Sequence, residues 1–344
     1  MDKWYEAPQT GGTNVIYSRI RLVRNWKEYP FPGRMTKEQS QELTDRFREG
    51  LAGIPALDGT KYRFAYPDQM AELDRAARLE RRALNRSVLK KTMSTGLILS
   101  EDERVGIVLN GDDHVRLQVL ETGLCLGSLY QRADRLDDFI GERFEYSFDE
   151  KYGYLTTFPT NVGTGLRASV ILHLPLLSRK KNFNSLVADM GRFGTQVRGV
   201  YGEGVENFGA LYQVSNQKTL GQSEKEIVDL VTKAAAELDA QERRIRKEVA
   251  AQRPLLVADE AYKSYGVLKY ARRLTKKDAM EFLSQIMAGI TDGILKTEEP
   301  CSVYGLMLGI QPANLLIRAK KPMSKEELDA ARAGFLREKL PEIK

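Results

Sequence analysis

Five arginines stand in short, unusual sequence contexts that suit the binding of phosphate groups. In the segment SRIR, Arg19 and Arg21 alternate, so on an extended strand both guanidinium groups point to the same side. Arg116 lies in a β-rich segment, Arg167 follows a Gly-Thr-Gly segment and Arg198 directly precedes a glycine, a residue that lets the backbone approach a bulky anion closely. Guanidinium forks match phosphate oxygens. Any one of these arginines could be an ordinary surface residue, but together they predict a polyphosphate site.

The familiar nucleotide-binding and hydrolase motifs are missing from the sequence. There is no G-x-x-x-x-G-K-[ST] loop, and no H-E-x-x-H, G-x-S-x-G or H-R-D motif. Residues 163–168 match the G-x-G-x-x-A form of the dinucleotide-binding motif. Basic residues 179–181, however, occupy the region where that motif needs an acidic residue for the ribose. Two histidines and two cysteines are too few for a His-rich metal centre, a disulfide scaffold or a four-cysteine zinc site. We therefore expect no metal held by protein side chains alone.

The composition is that of a globular protein. The 344 residues are 42% apolar and 29% charged, and 53 Lys+Arg against 47 Asp+Glu leave a net charge of +6, too little for a polyanion-binding tail. The length suggests two domains. The N-terminal residues have no apolar stretch after their charges, so we expect no signal peptide, and the longest apolar run, residues 170–177, is broken by His173 and Pro175. We expect a cytoplasmic protein without a membrane span.

The elements that must position these arginines are mixed in the first part of the chain and helical in the last. Ser223 and Glu226 form a capping box that starts a long helix ending at Pro254, where we place the domain boundary. Turn signals separate short apolar runs in the middle, which is typical of an antiparallel meander. We predict strands over 96–100, 105–110, 115–120, 154–158 and 210–215, and helices over 36–51, 68–91 and 126–144.

Four ordered segments resemble the ATP:guanido phosphotransferase family. They are SRIRLVRN (18–25), NGDDHVR (110–116), PTNVGTGLRASV (159–170) and RGVYGE (198–203), and YQVSNQ (212–217) continues the resemblance. The resemblance covers roughly residues 15–250. It implies an α/β fold with a mainly antiparallel sheet flanked by helices. It also implies two domains, a catalytic one at 1–253 and a small all-helical one at 254–344 for phosphoarginine binding or dimerisation.

The position of the extra domain indicates the branch of the family. Members that act on free guanidino compounds carry a helical domain before the first motif, whereas here seventeen residues precede it. Residues 259–268 and 309–316 resemble instead the C-terminal domain of a bacterial branch that phosphorylates arginine side chains of proteins. The expected function is therefore ATP-dependent protein arginine phosphorylation.

The resemblance also implies residue roles for the nucleotide. Mg²⁺ would bridge phosphate oxygens and need few protein ligands. The implied ATP-binding residues are Ser18, Arg19, Ile20, Arg21, Leu22, Arg116, Arg167, Ala168, Ser169, Val170, Ile171, Arg198, Gly199, Val200, Tyr201, Gly202 and Glu203.

The acceptor guanidinium is protonated at neutral pH, so carboxylates must orient it and take its proton. The family uses two glutamates for this, and one matches Glu203. The other belongs to an N-E-E-D-H stretch that reads Asn-Gly-Asp-Asp-His here, which makes Asp112 the implied base, one methylene shorter. Asp112 and Glu203 are thus the implied catalytic residues.

Other positions depart from the family pattern. Phe158 replaces a cysteine beside the substrate guanidinium, where it would share the substrate pocket with Asn161, and Ala83 replaces a histidine of the nucleotide pocket. In a C-terminal phosphoarginine-binding motif the first arginine is replaced by leucine, which leaves Asp329 and Arg332 as a degenerate site.

These departures leave an alternative open, a catalytically degenerate regulator of protein quality control that binds nucleotide or phosphoarginine. A kinase acting on free guanidino compounds is a third possibility, disfavoured by the missing N-terminal domain. For the leading function, the resemblance implies a homodimer, a zinc-finger activator protein, a heat-shock repressor among the substrates and coupling to a Clp protease. We expect no direct nucleic-acid binding, because the basic segment 68–91 lacks interleaved aromatic residues and a DNA-binding motif.

Several residues also have purely structural interpretations. His114 is either a satisfied strand histidine or a phosphate or adenosine contact, and His173 is read as structural in an apolar helix. Cys125 and Cys301 are interpreted as buried apolar residues. Phe158 could simply fill the core, and the basic segment 68–91 is expected to form a solvated face or a surface for an acidic partner.

Overall fold

The computed structural model describes residues 3–8, 12–201 and 207–344. In these ranges one antiparallel sheet of eight strands runs in the order β2-β3-β4-β5-β1-β8-β10-β9, and β6 and β7 form a separate hairpin. The strands are β1 (Val15–Arg24), β2 (Tyr62–Ala65), β3 (Gly96–Ser100), β4 (Val105–Leu109), β5 (Val115–Thr122), β6 (Phe148–Asp149), β7 (Gly153–Tyr154), β8 (Leu166–His173), β9 (Thr195–Gly199) and β10 (Leu211–Asn216).

Helices surround the sheet and make up the C-terminal part of the chain. They are α1 (Lys37–Gly50), α2 (Pro55–Asp58), α3 (Glu72–Glu80), α4 (Arg86–Leu89), α5 (Leu126–Gly141), α6 (Phe183–Arg192), α7 (Glu224–Gln252), α8 (Pro254–Tyr270), α9 (Lys276–Thr291), α10 (Val303–Gly309), α11 (Pro312–Ala319) and α12 (Lys325–Lys339). The predicted α/β fold class, with a mainly antiparallel sheet and a helical C-terminal region, is confirmed. Across the described ranges, no helix is both long and apolar enough to cross a membrane.

Local sequence signals fix several helix starts. The predicted capping box at Ser223 is present, since its hydroxyl accepts from the Glu226 N–H and the Glu226 carboxylate accepts from the Ser223 N–H. Thr36 caps α1 in the same way. Each box satisfies amides that the first helical turn leaves without a partner.

The main core lies on one face of the sheet. Alternate residues of β1, such as Ile20 and Leu22, point to this face, where α1, α5 and α7 cover them. The same face takes Leu117 and Val119 of β5, and all four side chains are at most 1% exposed. The two-residue period of a strand therefore puts the apolar members of β1 inside this layer.

The C-terminal helices cover only part of the opposite face. Tyr17, Leu120 and Ile171 from the sheet share a second apolar cluster with side chains of α8, α9, α10 and α12, including Met280 and Tyr304. The rest of this face carries the arginines.

The two parts of the chain are also joined through a helix start. The carboxylate oxygens of Glu80, at the end of α3, accept from the backbone N–H groups of Ala313 and Asn314 in the first turn of α11, each at 3.0 Å. Burial raises the pKa of Glu80.

The prediction of one helix over residues 68–91 is wrong. The chain forms α3 and α4, separated by a turn in which Arg82 takes a left-handed φ of 70°. This turn lets Leu84 and Val88 pack on Leu97 and Val108 of the sheet. Tertiary packing thus interrupts a segment whose local pattern is helical.

Two further element predictions need correction. Of residues 154–158, only Tyr154 is in a strand, because Thr157 donates its N–H to Asp113 instead of to a neighbouring strand. His173 ends β8 and does not lie in a helix; its Nε2 lies 2.6 Å from the Ser284 Oγ of α9. The structural interpretation of His173 fits this fully enclosed position.

Candidate active site

All five predicted arginines lie on the face of the sheet opposite the main core. Arg21 of β1 is directly opposite Arg167 of β8, and Arg116 of β5 is opposite Val23 of β1. Arg19 lies two positions before Arg21 and shares its face. The prediction that Arg19 and Arg21 point to the same side is confirmed.

Part of this arginine group borders a cleft of about 210 Å³ at the end of the sheet where β1 finishes and β5 and β8 begin. Three of them line it, together with Asp112, Phe158 and Asn161. The full lining is Arg21, Val23, Asn85, Val108, Gly111, Asp112, Asp113, Arg116, Phe158, Thr160, Asn161 and Arg167.

In the described parts of the chain, four arginines of this face have no acidic partner. Arg24 and Arg104 are ion-paired to carboxylates, whereas within the described residues none of Arg19, Arg21, Arg116 and Arg167 is. The Nε atoms of Arg19 and Arg21 are buried without a hydrogen-bond partner there. A buried donor without a partner is costly, so these atoms favour an added acceptor.

The electrostatics agree with that picture. Burial, followed by repulsion from neighbouring arginines, lowers the pKa of Arg21 well below its ordinary value and that of Arg116 to about 10. The same causes lower the pKa of Arg167, with Arg198 as its strongest charged neighbour. The negative charge of a phosphate-bearing ligand would offset the energetic cost of burying these guanidinium groups and would reduce their mutual repulsion.

Neutral side chains orient Arg19 without neutralising it. Its Nη2 donates to Ser169 Oγ at 3.3 Å and to Gln213 Oε1 at 3.2 Å. Arg198 pairs in register with Gln213 but is exposed at the edge of the sheet. Arg198 thus stands at the rim of the arginine group.

Asp112 lies in the cleft among fixed neighbours. Its Oδ2 accepts from Asn85 Nδ2 at 3.2 Å, and its backbone carbonyl accepts from Thr157 Oγ1 at 2.8 Å. Asp113 is buried, and its Oδ1 accepts from Asn25 Nδ2 and from the Thr157 N–H at 2.8 and 2.7 Å. The two acidic residues and the segment before Phe158 are therefore tied together.

Phe158 does not fill the core, so that interpretation is wrong. Its side chain is 48% exposed and borders the cleft. Its backbone carbonyl accepts from Thr156 Oγ1 and from the Asn161 N–H. An exposed ring on a fixed backbone is available to whatever enters the cleft. Asn161 is buried beside it.

Other predicted nucleotide residues point away from the arginine face. The side chains of Ile20, Leu22, Ala168 and Val170 lie in the main core. Ser18 shares that face and donates its hydroxyl to the Gly123 carbonyl at 2.7 Å. A prediction made for whole segments does not distinguish the two faces of a strand, and these side chains lie on the face away from the arginines. Their assignment to the nucleotide stays a prediction.

The remaining members of the predicted set lie towards the C-terminal helices. Ile171, Val200 and Tyr201 pack with the second apolar cluster, and Gly199 is exposed beside Arg198. Gly202 and Glu203 lie outside the described residues, so the second implied catalytic carboxylate stays a prediction. Ala83 is buried in the turn after α3.

His114 is held by two backbone groups. Its Nδ1 accepts from the Trp26 N–H at 2.9 Å, so Nε2 carries the proton and donates to the Pro30 carbonyl at 3.0 Å. Burial lowers its pKa to about 4, which keeps the ring neutral. Both ring nitrogens are satisfied, which favours the structural interpretation over a phosphate contact.

Asp329 and Arg332 of α12 interact with each other inside the C-terminal part. Arg332 Nη1 donates to Asp329 Oδ1 at 2.6 Å and to the Leu274 carbonyl at 2.7 Å, and its Nε donates to the Ile310 carbonyl at 3.2 Å. Arg332 is 3% exposed. Its guanidinium therefore ties together the ends of neighbouring helices. The two cysteines are free and partly buried.

Sequence reasoning missed several residues of the site. Asn85 lines the cleft from the turn before α4, and its type carries no recognisable pattern. Thr160 lies beside Asn161 in the PTNVGTGLRASV segment, so that segment could have pointed to it. Gln213 of β10 accepts a hydrogen bond from Arg19. It lies in the YQVSNQ segment, so the resemblance of that segment to the family could have pointed to it. In the described parts of the chain, no three His, Cys, Asp or Glu side chains are grouped to hold a metal ion.

Comparison with known proteins adds the family. Residues 43–245 match the family described as ATP:guanido phosphotransferase, C-terminal catalytic domain, and residues 254–344 match the protein-arginine kinase McsB C-terminal domain.

Similar proteins span nearly the whole chain. A protein-arginine kinase of Caldanaerobacter subterraneus subsp. tengcongensis is 36% identical over 322 residues, which cover 94% of this chain and 95% of that protein. One from Bacillus velezensis is 36% identical over 340 residues, covering 99% and 93%. Among solved structures, lombricine kinase is similar with a TM-score of 0.60 and 25% identity, covering 72% of this chain and 73% of that one. The chain therefore belongs to the protein-arginine kinases of the ATP:guanido phosphotransferase family.

Proposed function

We propose that this protein transfers the γ-phosphoryl group of ATP to a guanidinium nitrogen of arginine side chains in proteins. The observation that carries the proposal is the cleft itself. It brings together Arg21, Arg116 and Arg167, which have no acidic partner among the described residues, and the carboxylate of Asp112. Cationic groups for a polyphosphate and a base for the acceptor are the two requirements of this reaction.

The arginine face is proposed to hold the nucleotide. Arg19, Arg21, Arg116 and Arg167 would contact phosphate oxygens, with Arg198 at the rim. Phosphoryl transfer depends mainly on positioning and on neutralising charge that is spread over these oxygens. Mg²⁺, when bound with the nucleotide, supplies additional neutralisation through the phosphates.

Asp112 is proposed as the base. As the bond between the guanidinium nitrogen and the γ-phosphorus forms, the bond from that phosphorus to the bridging oxygen breaks and ADP leaves. The nitrogen loses a proton, and Asp112 takes it. The hydrogen bond from Asn85 and the bond from Thr157 to its backbone hold Asp112 in place.

Phe158 and Asn161 are proposed to border the acceptor side chain. A planar cation such as guanidinium stacks favourably on an aromatic face. The ring of Phe158 offers that face where a thiolate would offer charge. Glu203 is proposed as the second acidic group on the strength of the family resemblance.

The broader biology is proposed from the same resemblance. We propose a catalytic part at 1–253 and a helical part at 254–344, a homodimer in the cytoplasm, a zinc-finger activator protein, a heat-shock repressor among the substrates and coupling to a Clp protease.

Direct detection of the product tests the function. The protein is incubated with Mg-ATP, an arginine-rich substrate protein and, in parallel, the activator. Acid-labile, base-stable phosphate on arginine is then followed by phosphorus NMR and mass spectrometry. We expect phosphoarginine from the wild type, and at least roughly a 100-fold lower rate from Asp112→Asn, because the base is lost.

Asp259→Asn, on the partly exposed surface of α8, is the matched control and should retain the wild-type rate. Equal rates for Asp112→Asn and wild type would contradict the assignment of the base. Nucleotide binding without any product, even with the activator, would instead support the regulator.

A further inference from the structure

An exposed apolar surface lies beyond the loop that borders the cleft. Phe148, Tyr152 and Leu220 are 58%, 46% and 49% exposed and surround a shallow hollow of about 560 Å³. We call these three side chains the apolar patch. Exposed apolar side chains that are gathered in one place mark interaction sites more often than scattered ones do.

The apolar patch is held in a fixed arrangement. Asp149 Oδ1 accepts from the N–H groups of Lys151 and Tyr152, both at 2.9 Å, and so closes the turn of the β6–β7 hairpin. The ring of Phe148 packs edge-on against that of Tyr154, with centroids 5.2 Å apart. Tyr154 in turn lies over the Arg24 guanidinium. Little conformational entropy is left to lose when a partner binds.

The patch and the cleft share one piece of backbone. Residues 158–161 border the cleft, and residues 163–164 border the hollow. Thr219, next to Leu220, donates its hydroxyl towards the carbonyls of Thr160 and Val162 at 3.1 and 2.7 Å.

Glycine makes this junction possible. Gly163 has a φ of 109°, and a Cβ there would collide with the Thr219 carbonyl oxygen. The Tyr154 N–H donates to the Gly163 carbonyl at 2.8 Å, which brings the hairpin to the same point. The cleft and the patch are thus neighbouring parts of one rigid surface.

We propose that the apolar patch binds the stretch of substrate polypeptide next to the acceptor arginine, through apolar side chains of that stretch. The inference rests on the proposed function and adds to it a docking surface. A cleft of about 210 Å³ is smaller than usual ligand pockets, so it has room for little more than one side chain. The polypeptide on either side of the arginine must then run over the surface outside, and the patch is an exposed apolar surface joined to the cleft through residues 158–164.

The exposed apolar residues of α8 are a weaker candidate for this role. Leu255, Leu256 and Tyr270 are 82%, 54% and 74% exposed. They line no part of the cleft and share no segment with it. The continuity through residues 158–164 favours the patch.

Two peptides with a single arginine test the proposal. In one, leucine and phenylalanine flank the arginine; in the other, serines do. Binding is measured by fluorescence anisotropy in the absence of ATP, and phosphorylation by steady-state kinetics, for wild type, Phe148→Ala, Leu220→Ala and the control Phe193→Ala. Phe193 is 77% exposed and lies outside the patch.

We expect the wild type to prefer the apolar peptide. Phe148→Ala and Leu220→Ala should each weaken its binding and raise its KM about tenfold, because the apolar contact area is lost. The kcat, the KM for ATP and the binding of the serine peptide should stay unchanged. Phe193→Ala should behave as wild type.

Equal binding of both peptides by the wild type, or unchanged binding in both patch variants, would overturn the proposal. A changed oligomeric state of the patch variants in light scattering, with peptide binding unaffected, would also overturn it, since the patch would then join copies of this chain. Because anisotropy needs no turnover, a wild type that binds the apolar peptide selectively but forms no phosphoarginine would support the patch and contradict the proposed function.

Discussion

The two faces of the central sheet follow different rules although they alternate along the same strands. On one face, Ile20 and Leu22 are almost fully enclosed under helices. On the other, Arg19 and Arg21 keep buried Nε atoms without partners among the described residues. The first face contributes stability through apolar burial, whereas the second carries charges that repel one another. Neighbouring residues in one strand can therefore have opposite effects, one stabilising the fold and the next holding charge for a ligand.

The largest effect is expected on catalysis, when an arginine of the arginine face is replaced. Arg21→Met should lower kcat/KM for ATP by roughly 10³-fold, because one phosphate-neutralising charge is lost. The apo protein should become more stable, with Tm higher by about 2 °C, because desolvation and repulsion are relieved. Kinetics and calorimetry measure both effects. Arg63→Met, at an arginine exposed on the edge strand, is the control and should change neither; a lower Tm for Arg21→Met would contradict the view of this face as unfavourable for folding.

The adjacent residue should show the reverse. Ile20→Ala should lower the free energy of unfolding by about 2–5 kcal/mol, since it leaves a cavity in the main core. The KM for ATP should stay within about twofold, because the side chain points away from the arginines. Urea unfolding and steady-state kinetics check this pair of outcomes. A small change in stability with a large change in KM would mean that the faces are not separate.

A smaller effect is expected on kcat when the carboxylate of Asp112 in the cleft is lengthened. Asp112→Glu extends the carboxylate by about 1.5 Å and should raise kcat up to about tenfold if the shorter side chain limits proton transfer. The KM for ATP should not change, because the arginines are untouched. Adding Phe158→Cys tests whether the two departures from the family pattern act together. A lower kcat for Asp112→Glu would show that this cleft is shaped for aspartate.

The smallest effect concerns the covered end of the arginine face, where His173 lies. Burial lowers the pKa of His173 to about 3 and that of His114 to about 4, below the value of about 6.5 in unfolded chains. At pH values between the folded-state and unfolded-state pKa values, the unfolded chain binds more protons than the folded protein. The free energy of unfolding therefore falls as the pH drops below about 6.5.

Each histidine should contribute up to roughly 1.4 kcal/mol per pH unit in that window. Urea unfolding at pH 6.5, 5.5 and 4.5 measures the slope, and His173→Gln, which can still bond to Ser284, should make it less steep. An unchanged slope in His173→Gln would mean that this histidine accepts a proton in the folded state.

Sequence reasoning worked where one local signal decides the structure. The alternation in β1, the meander of β3 to β5 and the capping box at Ser223 were predicted correctly because each depends on residues close together in the chain. Residues 68–91 were misjudged because the turn at Arg82 is set by packing of Leu84 and Val88 on distant strands. His173 was misassigned for a similar reason, since an apolar run alone does not distinguish a buried strand from a helix.

Some residues of the candidate site could be identified from the sequence, and others could not. The arginines and Asp112 could be found because they lie in recognisable segments. Asn85 could not, since it reaches the cleft from a turn whose course depends on the whole fold. Thr160 lies in the recognised segment 159–170 and could have been included. The exclusion of Ile20 and Val170 from the nucleotide face required knowledge of which strand face each side chain takes.

The contact between Glu80 and α11 means that this C-terminal helix is completed by a residue 233 positions earlier in the chain. An isolated 254–344 fragment would begin α11 with two amides lacking that acceptor, and the helix would be less stable. Glu80 thus stabilises the start of a helix in the region that follows α7. Chimeras that exchange this region between relatives should assemble correctly only where an acidic side chain is kept at position 80.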